Sequence, residues 1–299
     1  MSRILYYLVL LPLSKLPLGT LYRLSDFMYF VLYRSLGYRT KVVLGNLRNS
    51  FPEKSEAEIK KIADEFYRFF CDQLVETIRL FSMSKEELYE RCKMNDIELF
   101  HRHFAAGKAV IIAGGHYNNW ELVAMGLCAQ IPHEGVALYH PLKNKFLNQK
   151  LQDSRARFGM EMIPTRDSRT FFAENSHRRM ATIFGTDQAP SNPRNAYWTM
   201  FLNQETPIFW GTERYAKEYN WPVVFIKVSR VGRGHFTVDT LPVTDEPLQT
   251  VEGEISEKHT RILEQIIRET PDYWLWTHRR WKRTRPEDVP LHGLEQVDN

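Results

Sequence analysis

Ala109-Val110-Ile111-Ile112-Ala113-Gly114-Gly115-His116-Tyr117-Asn118-Asn119-Trp120-Glu121-Leu122-Val123-Ala124-Met125-Gly126 is the stretch on which the fold is decided. Its first five residues are apolar and rich in β-branched side chains, the pattern of a buried strand. Gly114 and Gly115 then allow a sharp turn and a close approach of the backbone to whatever lies above the strand end. His116 falls at that turn. Asn118 is placed to cap a helix that begins near Trp120. The outcome is a strand, a turn bearing a histidine, and a helix whose N-terminus faces the same place. Ligands of open α/β sheets gather at such strand ends.

Two readings of the turn compete. On one continuous helix, His116 and Glu121 would diverge by about 140°. They meet only if His116 lies in the loop and Glu121 in the first helical turn. A carboxylate on one ring nitrogen would then fix the tautomer and leave the other nitrogen a better base, suited to deprotonating a hydroxyl or amine that attacks an acyl group. Alternatively, Asn118-x-x-Glu121 is a capping box, and Glu121 binds only backbone N–H groups.

Outward from this turn, apolar runs alternate with helical periodicity. Strands are expected at Gly135–Tyr139, Met160–Pro164, Met180–Phe184, Ile208–Gly211, Val223–Ser229 and His235–Leu241. Helices are expected at Lys145–Phe158, Thr212–Glu218 and Glu254–Glu269. This alternation predicts an α/β fold with a mixed, largely parallel sheet flanked by helices. Before it, Ser55-x-x-Glu58 opens a helix with an apolar stripe from Ile59 to Ile78, and shorter helices follow at about Ser84–Cys92 and Ile97–Ala106. No internal repeat or low-complexity tract breaks the chain. The organisation read from the pattern is an N-terminal hydrophobic and amphipathic segment, 1–40, a main domain, 41–285, and a loose tail, 286–299.

In 299 residues, 43% hydrophobic and 25% charged, there is material for a sizeable core. The net charge of +4 is informative only once located. Residues 1–50 carry seven basic side chains against one acid, Asp26, and Arg279, Arg280, Lys282, Arg283 and Arg285 cluster near the end. Anionic headgroups or a phosphorylated substrate suit both clusters, and no nucleic-acid motif is present. Residues 4–13 form an apolar run of ten, half of the roughly 20 a spanning helix needs. From Leu18 to Leu36, apolar and aromatic residues recur at helical spacing between Arg23 and Arg34. That pattern suits a helix lying in a membrane interface, or one docked on the protein's own core. Cys71, Cys92 and Cys128 are isolated, which argues for a reducing compartment and against a disulfide framework. No metal-ligand spacing and no cofactor motif is visible.

Three further places combine polar chemistry with a strand end. His140 to Asn144 lead into a helix bearing Arg155 and Arg157. Gly185-Thr186-Asp187-Gln188 is a second polar turn. Tyr273 to Lys282 mixes aromatics with cations around His278. Each also has a plain reading, as solvated helix charges, an ordinary turn acid and a packed histidine.

Together these features resemble one family, the bacterial late acyltransferases of lipid A biosynthesis, over nearly the whole chain. The matching segments are Asn46-Leu47-Arg48-Asn49-Ser50-Phe51-Pro52, Gly115-His116-Tyr117-Asn118-Asn119-Trp120-Glu121-Leu122, Asn144 with Arg157-Phe158-Gly159, Asp187-Gln188, and Trp274-Leu275-Trp276-Thr277-His278-Arg279-Arg280-Trp281-Lys282. The resemblance implies an enzyme at the cytoplasmic face of a bacterial inner membrane. It would move a fatty acyl chain from acyl carrier protein, or acyl-CoA, onto a lipid acceptor, without cofactor or nucleic-acid partner. It also implies His116 as general base oriented by Glu121, with Asn119, Asn144, Arg157, Asp187, Gln188, His278 and Arg279 toward the substrates. Backbone N–H groups at the turn, or Arg157, would serve the oxyanion. The family pattern has Gly where this chain has Asn118, a position tolerant of left-handed backbone. That departure leaves another acceptor open, such as an amino-acid lipid or glycolipid, and a catalytically silent lipid-binding protein on the same fold is a further alternative. A Ser hydrolase is disfavoured, because Gly-x-Ser-x-Gly is absent.

Overall fold

The computed structural model describes residues 2–293. Seven strands form the main sheet: β1 (Cys92–Met94), β2 (Val110–Gly114), β3 (Glu134–Tyr139), β4 (Met160–Pro164), β5 (Met180–Gly185), β8 (Val223–Gly232) and β9 (His235–Thr244). A separate hairpin pairs β6 (Ala196–Phe201) with β7 (Gln204–Phe209). The sheet order is β1-β9-β8-β2-β5-β3-β4. The five strands from β8 to β4 run parallel, while β9 returns antiparallel to β8 and carries β1 alongside it. The sheet is thus mixed and largely parallel.

Strand β2 is buried on both faces, as a central parallel strand should be. Ile111 and Ala113 join the core built with Leu263, Ile266 and Ile267 of the Glu254–Glu269 helix. Val110 and Ile112 join Leu127 of the Trp120–Gln130 helix and Ile131. The Ser55–Glu58 capping box forms and starts the Glu56–Arg79 helix. The register places Gly114 opposite Gly185. His116 and Asp187, each two residues beyond those glycines, therefore emerge side by side from β2 and β5.

Among the described residues no single helix is long and apolar enough to cross a membrane. The N-terminal helical stretches Ser2–Ser14 and Leu18–Ser35 are bent by 118° relative to each other. The second of them packs on the Glu56–Arg79 helix through polar contacts. Tyr22 donates to Glu76 Oε1 at 3.0 Å, Ser25 to Asp72 Oδ1 at 2.7 Å, and Tyr29 to Asp64. Its other side exposes Phe27 and Phe30, and the first stretch exposes Ile4 and Leu8. Residues 286–293 lie against the β6–β7 hairpin, where His292 N–H donates to Trp198 O at 2.7 Å. Residues 294–299 of the expected tail lie outside the described residues.

Candidate active site

The turn after β2 is shaped by sterics. A Cβ on Gly115 would come within 2.7 Å of Leu263 and 3.1 Å of Asp187 Oδ2. A Cβ on Gly185 would sit 2.9 Å from His116 Cε1. Glycine at both positions leaves room for the His116 ring and the Asp187 carboxylate to sit side by side. Asn118 takes left-handed backbone, with φ of 54°, and its side chain donates to Val228 O at 2.8 Å. It does not cap the helix. Asn119 does, accepting from Leu122 N–H at 3.1 Å, so the expected Asn118-x-x-Glu121 capping box is not formed.

His116 is held by a carboxylate, and that carboxylate is Asp187. His116 Nδ1 lies 2.6 Å from Asp187 Oδ1, and the His116 backbone N–H donates to Asp187 Oδ2 at 2.7 Å. Trp274 Nε1–H donates to the same oxygen at 2.7 Å. Asp187 is buried. Burial alone would push its pKa up, but the facing imidazole and these donors hold it down at about 2. Burial opposes a charge on His116 as well. The fields of Asp187 and, more weakly, Glu121 outweigh burial and hold the imidazole above its ordinary range. Because Nδ1 is committed to Asp187, Nε2 carries the free lone pair of the neutral ring. Gln188 Nε2 lies 3.0 Å from it, and the edge of the Trp120 ring closes another side.

Glu121 is placed otherwise than the sequence suggests. Its carboxylate takes a two-pronged ion pair from Arg155, with Nη2 at 2.6 and 2.8 Å and Nε at 3.2 Å. It acts on His116 through its field, and the orienting hydrogen bond belongs to Asp187. Asn119 is also reassigned. It is fully buried, with its oxygen capping the helix and its Nδ2 donating to Glu76 Oε2 at 2.7 Å, which leaves no group free for a substrate. Asn144 caps the Lys145–Ala156 helix and donates to Ser2 Oγ, at the protein surface. Arg157 is exposed and donates through Nη2 to the backbone carbonyls of Leu80 and Met83, anchoring that loop. The cation beside Glu121 is instead Arg155. His278 lies in the site, its Nε2 accepting from Ala189 N–H at 3.3 Å, and burial pushes its pKa down to about 4. Arg279 points to solvent, whereas its neighbour Arg280 is fully buried and donates to Pro207 O at 2.6 Å.

The space bounded by His116, Asp187, Gln188, Trp274, Leu275 and His278 is too narrow to hold a water molecule. Chemically, the arrangement is an imidazole with one nitrogen fixed by a buried carboxylate and the other facing the Gln188 carboxamide. It is suited to taking a proton from a hydroxyl. Trp274, bonded to Asp187, and Arg155, bonded to Glu121, are the contributors that sequence reasoning did not assign to the site. Their signal was present in the aromatic-cationic run and the arginine pair of the Lys145–Ala156 helix, but nothing in the spacing said which side chain turns inward.

The chain is matched over residues 2–283 by the family model described as bacterial lipid A biosynthesis acyltransferase. It is 24% identical over 285 residues to the lipid A biosynthesis lauroyltransferase of Escherichia coli K12, covering 94% of this chain and 91% of that protein. It is likewise 24% identical over 252 residues to the palmitoleoyltransferase of the same organism, covering 83% and 80%. The lipid A biosynthesis acyltransferase of Haemophilus influenzae is 24% identical over 254 residues, covering 84% and 79%.

Proposed function

This chain belongs to the bacterial lipid A biosynthesis acyltransferases, and on that premise we propose that it carries a fatty acyl group from acyl carrier protein, or acyl-CoA, to the hydroxyl of a 3-hydroxyacyl chain on a lipid A precursor. His116 is the general base. Its Nε2 takes the hydroxyl proton as the oxygen attacks the thioester carbonyl. The C–S bond then breaks, and the imidazolium returns the proton to the departing thiolate. Asp187 holds Nδ1–H and stabilises the imidazolium, the role a buried carboxylate plays behind any catalytic imidazole. The oxyanion is met by the N–H groups of Trp120 and Glu121, which precede those of Leu122 and Val123 that Asn119 holds, with the Arg155 guanidinium as the nearby cation. Glu121 fixes Arg155 and adds its field to the histidine. The observation that carries this reading is the 2.6 Å contact between His116 Nδ1 and buried Asp187, which leaves Nε2, faced by Gln188, as the basic nitrogen.

The acceptor stays in the cytoplasmic leaflet of the inner membrane and the enzyme lies against it. The exposed Ile4, Leu8, Phe27 and Phe30 of the bent N-terminal helices form the interfacial face. Deleting residues 1–36 would test this poorly, because it strips partners from buried Asp72 and Glu76. Replacing Phe27 and Phe30 by Ser leaves those partners in place. The double variant is expected to co-sediment with anionic vesicles at least about 10-fold more weakly, given ~1.5–3 kcal/mol for each fully buried aromatic. Unchanged sedimentation would refute the interfacial face. The activity is tested with purified protein, an acyl thioester of acyl carrier protein and a lipid A precursor in vesicles. Mass spectrometry should find the acceptor heavier by one acyl group, and His116→Ala should abolish that product. Equal product from the variant would contradict the assignment.

A further inference from the structure

We propose that the Gln188 carboxamide holds the place of the acceptor hydroxyl on His116 and, by filling it, keeps water from hydrolysing the acyl thioester before an acceptor arrives. The inference rests on the general-base reading of His116. With Nδ1 bound to Asp187, the neutral ring has a single in-plane lone pair, on Nε2. An attacking hydroxyl must sit about 2.6–3.2 Å from that atom to give up its proton. Gln188 Nε2 occupies that place, at 3.0 Å. A carboxamide N–H and a hydroxyl cannot both bind one lone pair, so turnover requires Gln188 to rotate away.

The surroundings favour a displaceable group. Asp187 is anchored independently of Gln188, and Thr186 is tied to Gly114 O through its N–H and hydroxyl at 2.9 and 3.2 Å. Gln188 can therefore turn without loosening the carboxylate behind the base. On its other side, the Ala189 N–H is bonded to His278 Nε2, which keeps the backbone where the side chain reaches His116. The space at the site has no room for even one water molecule, far from the ~300–1,000 Å³ of sites that hold a ligand. The site is shut as it stands.

The step being suppressed is simple. With Nε2 open to solvent, it would take a proton from water, and the water oxygen would attack the thioester carbonyl. The C–S bond would break and the thiol would leave with the proton, releasing a free fatty acid. Gln188 donates to the lone pair but has no nucleophilic oxygen to deliver, so it closes this route at no chemical risk. The acceptor hydroxyl displaces it because the bound lipid brings that hydroxyl to a fixed position.

Full-length protein in anionic vesicles is compared with Gln188→Ala and Gln188→Glu by two readouts. The first is diethyl pyrocarbonate modification of His116 without substrate, quantified site by site by mass spectrometry against exposed His140. Gln188→Ala should react at least about 10-fold faster, as expected when a closed state that dominates the population is removed. Gln188→Glu should react more slowly than the parent, because its carboxylate pairs with the imidazolium. The second is acceptor-free release of fatty acid from a lauroyl thioester, which should rise at least about 10-fold in Gln188→Ala. Unchanged modification and hydrolysis in Gln188→Ala would overturn the proposal. If the general-base reading were itself wrong, His116→Ala would keep the parent's acyl transfer, whatever the modification rates. A place-holder failure leaves transfer intact in the parent and still lost in His116→Ala.

Discussion

Asp187 and Glu121 are two carboxylates around one imidazole, and they are held in opposite ways. Asp187 is 3% exposed, receives three N–H groups, and is fixed by strand register 71 positions along the chain from His116. Glu121 is 25% exposed, five residues from His116, and pairs with Arg155. The nearer residue in sequence is the farther one in chemistry. Proximity along the chain favours a contact only when the intervening backbone can fold to make it. Here the helix that starts at Trp120 carries Glu121 away, while two neighbouring parallel strands deliver Asp187.

Exchanging the two acids one at a time sharpens the contrast. Asp187→Asn should lower kcat by about 10³-fold or more, since it can lock the wrong tautomer and removes the imidazolium's counter-charge. Glu121→Gln should cost less, about 10–100-fold, through a loosened Arg155 and a weaker field. If Glu121→Gln proved the more damaging, the assignment of orienter and field donor would have to be reversed.

Rate against pH gives a finer separation. A general base acts in its neutral form, and the pKa of His116 is raised, so on the proposed mechanism kcat/KM should climb with pH through a midpoint above the ordinary ~6.5. Removing the Asp187 charge should move that limb to lower pH by more than removing the Glu121 charge does. Equal displacements would mean that the two acids act at equal range.

Stability supplies the smallest effect. The pKa of Asp187 is depressed on folding, so its contribution is present above the ordinary ~3.9 and is lost as pH falls through about 2. That of His116 is raised, so its contribution is complete below ~6.5 and is lost as pH rises through the folded value. The pair therefore stabilises most between about pH 4 and 6.5, by an amount on the order of 2–3 kcal/mol. Thermal unfolding across pH 2–9 should show this window in Glu121→Gln and lose it in Asp187→Asn.

Much of this architecture is legible in the sequence because burial writes itself into composition. The β2 run, the two glycines and the helix from Trp120 follow from apolar pattern and turn chemistry, and the strands Met160–Pro164 and Met180–Gly185 follow in the same way. The β6–β7 hairpin does not. Its turn places Leu202 and Asn203 at φ of 50° and 63°, a geometry normally announced by glycine, so no turn signal separates the strands. The expected strand Ile208–Gly211 accordingly captures only the end of β7, and Gly211 already belongs to the next helix. In the site, His116, Asp187, Gln188 and His278 are recoverable from the polar turns and the family resemblance. Their pairing is not, because it depends on Gly114 standing opposite Gly185, and register across a sheet leaves no mark in local spacing. Asn119, Asn144 and Arg157 carry the chemistry of ligands, but the two asparagines cap helix ends and Arg157 gives Nη2 to loop carbonyls.

The most direct test is the imidazole itself. In histidine-labelled protein, proton and nitrogen resonances of His116 report which carboxylate holds Nδ1–H. A downfield Nδ1 proton should be present in the parent and in Glu121→Gln, and should vanish in Asp187→Asn with a lowered ring pKa. A resonance that survives Asp187→Asn and is lost in Glu121→Gln would contradict the account at its centre.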